Sequence, residues 1–552
     1  MPETVNHLIT FQTKKYYKQK HEIKFQKENL RVIKNMLKKI RVIISLSFFF
    51  LLTFYFLDFA GILSDNFRIL GQIQFIPAFI AKSILIVVCI LISLLLFGRI
   101  YCSTVCPMGV LQDIINRISK IIFPKRKSKF RKNNPNLRGI ILTVSYLLFF
   151  FGFILIFGLL DPYSAFGRIA THIFKPIYLF GNNILAAIFT NFGNYTFYPV
   201  AVEISSIFSF TVAIFTFLII GFLAAKNGRL YCNTVCPVGT LFGFLNKYSF
   251  FKIRINENKC STCGLCEKNC KAQCIDSQAK NIDYSRCVNC FNCIGNCKKN
   301  GISYSLKKDF TVNKIENKNL QDEQKRVFIL TGLTTAITVP TVLAQEKLKP
   351  LLAENNIFND GTVMEKTRQI PITPPGSISI QHFQKHCTSC HLCVSKCPSK
   401  VLKPAFLEYG FAGIMQPTME FEKGFCNYNC NTCSTVCPTN AINSITLDEK
   451  RLTQVGKVVF IEELCVVHTD GTSCGACSEH CPTQAVKMIP YKNGLTIPLI
   501  DVEICVGCGG CEYICPIRPF RAIFVEGNKI HQRAKPFEIE EVEKKEITDF
   551  GF

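Results

Sequence analysis

Thirty cysteines in 552 residues are the first chemistry the chain offers, and most of them fall into six runs of four. Two runs lie mid-chain: Cys260-x2-Cys263-x2-Cys266-x3-Cys270 and Cys287-x2-Cys290-x2-Cys293-x3-Cys297. Two more are Cys387-x2-Cys390-x2-Cys393-x3-Cys397-Pro398 and Cys426-x3-Cys430-x2-Cys433-x3-Cys437-Pro438. The last are Cys465-x8-Cys474-x2-Cys477-x3-Cys481-Pro482 and Cys505-x2-Cys508-x2-Cys511-x3-Cys515-Pro516. A tight Cys-x2-Cys-x2-Cys loop wraps three thiolates around one [4Fe–4S] cube, and the fourth cysteine ligates the other cube of a pair. Six runs therefore predict six cubes, and a chain holding six cubes moves electrons. Disulfide scaffolds rarely repeat one spacing six times, and zinc ribbons use two separated pairs. Cys387-x2-Cys390-His391 also fits a c-type haem attachment site, but Cys393 and Cys397 continue the run in register, which favours a cluster.

In the first pair of runs, Cys260, Cys263 and Cys266 are expected to share a cube with Cys297, and Cys287, Cys290 and Cys293 with Cys270. Pairing among the last four runs stays open: neighbours exchange fourth ligands, or the first run pairs with the last. Cys274 lies outside both neighbouring runs and receives no role. Basic residues beside the first pair (Lys268, Lys271, Lys298, Lys299) are expected to raise reduction potentials by stabilising the more negative reduced state.

The elements that must position these loops include a membrane domain. Mean hydropathy is +0.23, yet the formal charge is +25, a combination that fits basic flanks around membrane spans better than nucleic-acid binding. The charge is uneven: residues 346–552 hold 21 basic and 23 acidic side chains, so the excess lies in 1–345. Four apolar stretches, Val42–Ala60, Ile76–Phe97, Gly139–Leu160 and Ile204–Ala225, approach or exceed the roughly 20 residues a helical span needs. Basic clusters precede the first, follow the second and follow the fourth, so the positive-inside rule places the N-terminus, the 98–138 loop and the first two cysteine runs in the cytoplasm. About forty polar and basic residues before the first apolar run argue against a cleavable secretory signal.

A repeat sits beside these helices. Gly98-Arg-Ile-Tyr-Cys102-x3-Cys106-Pro107-Met-Gly109 recurs as Gly228-Arg-Leu-Tyr-Cys232-x3-Cys236-Pro237-Val-Gly239, with Asn116 and Ser119 matched by Asn246 and Ser249. Each copy follows an even-numbered apolar stretch, which predicts a parallel repeat with all four cysteines at one level on the cytoplasmic surface. Three roles suit Cys102, Cys106, Cys232 and Cys236: a shared metal or iron–sulfur site, redox-active thiol pairs, or structural packing. Cys89, inside an apolar stretch, reads as a small buried hydrophobe.

Between Val42 and Ala225 the only histidine is His172, which excludes a b-type haem held by two helix histidines. The segment Asp161 to His172 reads as an outer loop that could border a quinol pocket, or as an ordinary polar loop. Asp58 and Lys82 stand in apolar surroundings near helix ends, where snorkelling accounts for them.

Beyond Ser305 a polar linker leads to Lys325-Arg326-Val-Phe328-Ile329 and a threonine-rich apolar run ending Val342-Leu343-Ala344. This resembles a twin-arginine export signal with Lys in the first basic position, a route that carries folded proteins. Residues 346–552 are accordingly expected outside the cytoplasm.

Two family resemblances rest on these motifs. Residues ~40–305 resemble NapH/MauN-type membrane ferredoxins, with two Cys-x3-Cys-Pro motifs and a cytoplasmic pair of four-cysteine runs. Residues ~322–520 resemble NapG/MauM-type ferredoxins, including the stretched Cys465-x8-Cys474. In the first pair of runs Lys271 and Lys298 follow the fourth cysteine, where Pro is common. The resemblance implies a fused quinol-dehydrogenase module in the inner membrane, taking electrons from the quinone pool to a periplasmic reductase or cytochrome acceptor. The expected fold is a membrane α-helical bundle of four spans, with a possible fifth, plus α+β bacterial-type ferredoxin domains. Its segments are a basic cytoplasmic 1–41, membrane 42–249, two-cluster 250–306, linker and fifth apolar segment 307–345, four-cluster 346–530 and charged tail 531–552. The sequence carries no flavin, molybdenum or dinucleotide motif, so an electron-transfer subunit is expected rather than a stand-alone catalyst. Two alternatives are a relay from a cytosolic ferredoxin across the membrane and a maturation factor that reduces a partner enzyme.

Overall fold

Long apolar runs become helices here, and glycine or a left-handed residue stops several of them. A computed structural model describes residues 36–124, 128–152, 154–306 and 368–536. The export-signal-like segment, the linker around it and the charged tail from residue 537 lie outside the described residues.

Three described helices are long and apolar enough to cross a membrane: Met36–Leu57, Pro162–Asn191 and Ile207–Asn227. Two shorter apolar helices, Ile84–Phe97 and Pro135–Phe150, accompany them. Two of the four expected spans are not single continuous helices. The stretch Ile76–Phe97 breaks at Lys82, whose φ is 56°, so a helix Phe75–Ile80 ends before Ile84–Phe97 begins. The stretch Gly139–Leu160 breaks near Gly152 (φ 82°) and resumes as Ile154–Leu160. The supposed outer loop after Asp161 is itself helical, with Pro162 at the first turn, where its missing N–H costs nothing, and a single π-turn at Ala170–Phe174. Cys89 is exposed on its helix rather than buried, because that helix is apolar on every face and packs through few of its residues.

The cysteine-rich parts are α+β. Among the described residues every sheet is a two-stranded antiparallel ribbon. Lys252–Ile255 pairs with Ile302–Ser305 and encloses the first two runs. Thr453–Phe460 pairs with Ile523–Arg533 around the last two. Such short ribbons bury little by themselves, so the loops depend on packing against their neighbours.

Two helices connect the mid-chain ferredoxin part to the C-terminal one. Arg41, near the start of Met36–Leu57, pairs with Asp113 at 3.3 Å, and Asp113 also pairs with Lys271 beside the first run at 3.0 Å. Asp58, just past the other end, pairs with Lys396 of the third run at 2.8 Å. The 17 steps from Arg41 to Asp58 make about 25 Å of helix at 1.5 Å per residue. In Ile207–Asn227, Phe208 packs edge-on against Phe406, with ring centroids 5.0 Å apart. At its far end Arg229 N–H donates to Lys271 O at 3.0 Å. The two ferredoxin-bearing parts therefore meet opposite ends of the same two helices.

Candidate iron–sulfur sites

Four of the six runs share one loop geometry. The second residue after the first cysteine and the residue after the second cysteine both take left-handed φ. These are Thr262 (51°) and Gly264 (70°), Asn289 (46°) and Phe291 (60°), Ser389 (54°) and His391 (61°), and Gly507 (72°) and Gly509 (79°). Alternating turns of this kind make a concave nest that aims backbone N–H groups inward, suited to an anionic cluster. Each loop then enters a short helix carrying the third cysteine, such as Asn292–Asn296 or Leu392–Lys396.

Side-chain proximity groups the thiols by fours. Cys437 stands within electrostatic range of Cys387, Cys390 and Cys393. Cys397 lines one cavity with Cys426, Cys430 and Cys433. In the same way Cys515 joins Cys465 and Cys477, while Cys481 joins Cys505, Cys508 and Cys511. Neighbouring runs thus exchange their fourth cysteine, and first-with-last pairing is not the arrangement found. Cys426 N–H donates to Cys508 O at 2.9 Å, joining the two pairs. In the mid-chain part, Cys270 lines a cavity with Cys287, Cys290 and Cys293. Cys297 Sγ accepts from Gly301 N–H at 3.2 Å, and Gly301 packs against the Lys259–Cys260 backbone.

These groups fit cubes chemically. Burial pushes Cys390, Cys477 and Cys508 up to about 12 and Cys266 and Cys426 to about 11, with adjacent thiols adding to the shift. Thiols that resist ionising alone suit a positively charged iron–sulfur core, which takes thiolates and supplies the compensating charge.

The third run meets the membrane helices directly. Gly158 and Gly167 lie where any Cβ would overlap the carbonyls of Thr388 and Cys390. Arg168 donates to Ser389 O at 3.2 Å, Lys175 donates to Ser395 O, and Ser395 Oγ donates to Phe56 O. His391 Nε2 donates to Met415 O at 2.8 Å, so its Nδ1 accepts from His172 Nε2, also at 2.8 Å. Both ring nitrogens are committed, which removes His391 as a haem ligand. Burial first, then His172 and Arg168, hold His391 well below the usual imidazole range.

The four repeat cysteines come together as well, buried within the protein. Cys102, Cys106, Cys232 and Cys236 are 3–5 % exposed, and each of the other three acts electrostatically on Cys236. Residues 101–106 and 230–236 fold inward from the helix ends, where Tyr231 Oη donates to Leu160 O and Tyr101 Oη to Gln74. The contacts between the repeats are reciprocal. Gly109 of one copy packs against the other copy's Arg229, and Gly239 against Arg99. Gly98 (φ 74°) packs on Asn246, and Gly228 (φ 66°) on Asn116. Gln112 Nε2 donates to Cys232 Sγ at 3.2 Å, and Gly239 N–H to Cys236 Sγ at 3.3 Å.

The surrounding charge is positive. Arg41, Arg229 and Lys271 converge on the single carboxylate of Asp113. Arg99 is fully buried and donates to Asn233 Oδ1, Ser285 O, Cys232 O and, at 3.9 Å, Cys102 Sγ. Its Nε has no partner among the described residues. A buried guanidinium without a carboxylate is costly unless an anion balances it, and a cube held by four thiolates is such an anion.

Comparison with known proteins agrees with this chemistry. The family described as "4Fe-4S binding domain" matches residues 81–131 and 208–256, the two Cys-x3-Cys-Pro repeats. "4Fe-4S dicluster domain" matches 472–518, over the last two runs. An uncharacterized protein of Methanocaldococcus jannaschii is 25% identical over 289 residues, 51% of this chain and 94% of its own. The putative electron transport protein YccM of Escherichia coli is 29% identical over 236 residues, 42% of this chain and 58% of its own. The methylamine utilization ferredoxin-type protein MauM of Methylobacillus flagellatus is 29% identical over 169 residues, 28% of this chain and 70% of its own. No solved structure matches the chain. The chain is thus similar to iron–sulfur electron-transport proteins of ferredoxin type, carries 4Fe-4S binding domains and has three helices long and apolar enough to cross a membrane.

Sequence reading missed three features: the helix after Asp161, the His172–His391 pair and the placement of Cys274. Pro162 after Asp161 was a usable helix-start signal, and Asp161 does cap, accepting from Ser164 N–H at 2.8 Å. No local signal could pair histidines 219 residues apart.

Proposed function

We propose that the chain carries electrons through the membrane, between a mid-chain pair of cubes on one side and four C-terminal cubes on the other. The four-cysteine site of the repeats would be the link. The observation that carries this reading is the burial of Cys102, Cys106, Cys232 and Cys236 between two ferredoxin-bearing parts that meet opposite ends of the same helices. Bound [4Fe–4S] clusters would supply one-electron carriers in all seven thiol groups. The chain's own residues do the rest. Arg99 and Arg229 offset anionic charge at the link, while Gln112 and Gly239 N–H groups hydrogen-bond its sulfurs. Arg229 acts electrostatically on both Cys232 and Cys290, bridging the link and the mid-chain pair. On the other side Leu160 and Asp161 lie between Tyr231 and the third run.

Within this reading the C-terminal part faces the periplasm and delivers to an oxidoreductase there, as the likeness to MauM supports. A second reading, in which quinol donates directly to the third run rather than through the link, is favoured by one specific observation. Among the described residues, Tyr55 Oη, Tyr163 Oη, Asp161 Oδ1 and Arg168 Nε are buried without partners where the helices meet the third run. A quinol headgroup presents hydroxyls to such atoms.

The test is iron and sulfide analysis with EPR on membrane-extracted protein, wild type against the variant with Cys102, Cys106, Cys232 and Cys236 changed to Ser. The proposal expects the variant to lose one cluster's iron and one EPR species. Identical iron and spectra would contradict it.

A further inference from the structure

Five of the six runs end in the same turn. The third residue after the fourth cysteine has left-handed φ: Gln273 (52°), Asn300 (53°), Lys400 (55°), Asn440 (56°) and Gln484 (52°). In four of the five its N–H bonds back to the cysteine carbonyl, at 3.1–3.3 Å. The next residue therefore occupies one equivalent slot in each of these five runs. That slot holds Gly301, Val401, Ala441 and Ala485, small or apolar side chains, and in the first run it holds Cys274.

The slot faces the cube site. Val401 lines the cavity shared by Cys397, Cys426, Cys430 and Cys433. Cys274, 1 % exposed, lines the corresponding cavity with Cys270, Cys287, Cys290 and Cys293. Its Sγ lies 3.6 Å from Cys270 Sγ. One cavity suited to a four-ligand cube thus has five thiols. An apolar side chain fills the slot elsewhere, so packing alone does not call for sulfur there.

We infer that Cys274 is an alternate ligand of this cube, interchangeable with Cys270. In the exchange the Fe–Sγ bond to Cys270 breaks and one to Cys274 forms. The proton of the Cys274 thiol passes to Cys270, and no electron is transferred. The cube could thereby adopt two ligand sets with different hydrogen bonding, at the end of the molecule where Lys271 links the first run to Asp113.

The inference rests on the mid-chain runs holding cubes, so the experiment includes Cys287→Ala as its control. Full-length protein extracted from membranes is compared as Cys270→Ala, Cys274→Ala and the double variant, by iron content and EPR. Alanine cannot ligate iron. Each single variant is expected to keep its iron and shift one EPR signal, and the double variant to lose about four iron atoms per chain. Loss of the cube from Cys270→Ala alone, or from Cys274→Ala alone, overturns interchangeability. Full iron in the double variant overturns it too. Unchanged iron in Cys287→Ala would instead remove the cube reading beneath it.

Discussion

Arg99 is the residue on which the link's electrostatics turn. It is fully buried, its partners are neutral, and it stands beside two of the four repeat cysteines. Removing its charge leaves the thiol group less compensated, so the reduced and more negative state loses stabilisation. Arg99→Gln is expected to lower the link's midpoint potential by roughly 60 mV, equivalent to a tenfold change for one electron, read by EPR-monitored redox titration. An unchanged potential would mean that Arg99 is balanced elsewhere. At this scale the sequence was highly legible, because iron ligation needs thiols at fixed spacings and spacing is written in the chain. The runs, the fourth-ligand exchange in the first pair and the repeat motif could all be read from it. Cys274 could not, since its meaning depends on a turn geometry visible only once the equivalent slots are superposed.

At the scale of elements, the contact that docks the C-terminal part is Asp58 with Lys396. The Asp58 carboxylate is buried and accepts from Ile62 and Leu63 N–H groups, both at 3.1 Å. Burial pushes its pKa up, but Lys396 and these N–H groups outweigh burial and hold it below its ordinary 3.8. A depressed acid contributes its stability above the unfolded value and loses it as pH falls through the folded one. Docking should therefore be insensitive to pH above about 5 and loosen only below 3.8. Lys396→Met, which strands the carboxylate, should cost about 3 kcal/mol at neutral pH, measured as increased protease access to residues 387–397. Tight docking retained in that variant would show that the His172 and Arg168 contacts suffice. Helix positions were only partly legible. Apolar runs announce membrane helices, but Gly152 and Lys82 redirect the chain within runs that look continuous, and Pro162 starts a helix that polar side chains disguise.

For the whole molecule, the account depends on thiol groups forming one series from end to end. Composition pointed to membrane helices, and the cysteine runs lie at both ends of two of them. It left open whether the repeat cysteines hold a cluster, form redox pairs or pack the interface, because thiols spaced four apart suit all three roles. The most direct test places full-length protein in sealed vesicles with a redox protein acceptor trapped inside and an impermeant reductant outside. The account predicts that the trapped acceptor is reduced by wild type, and that changing Cys102, Cys106, Cys232 and Cys236 to Ser stops this while outward-facing clusters still bleach. A trapped acceptor that stays oxidised with wild type, or is reduced equally well by the variant, would contradict it.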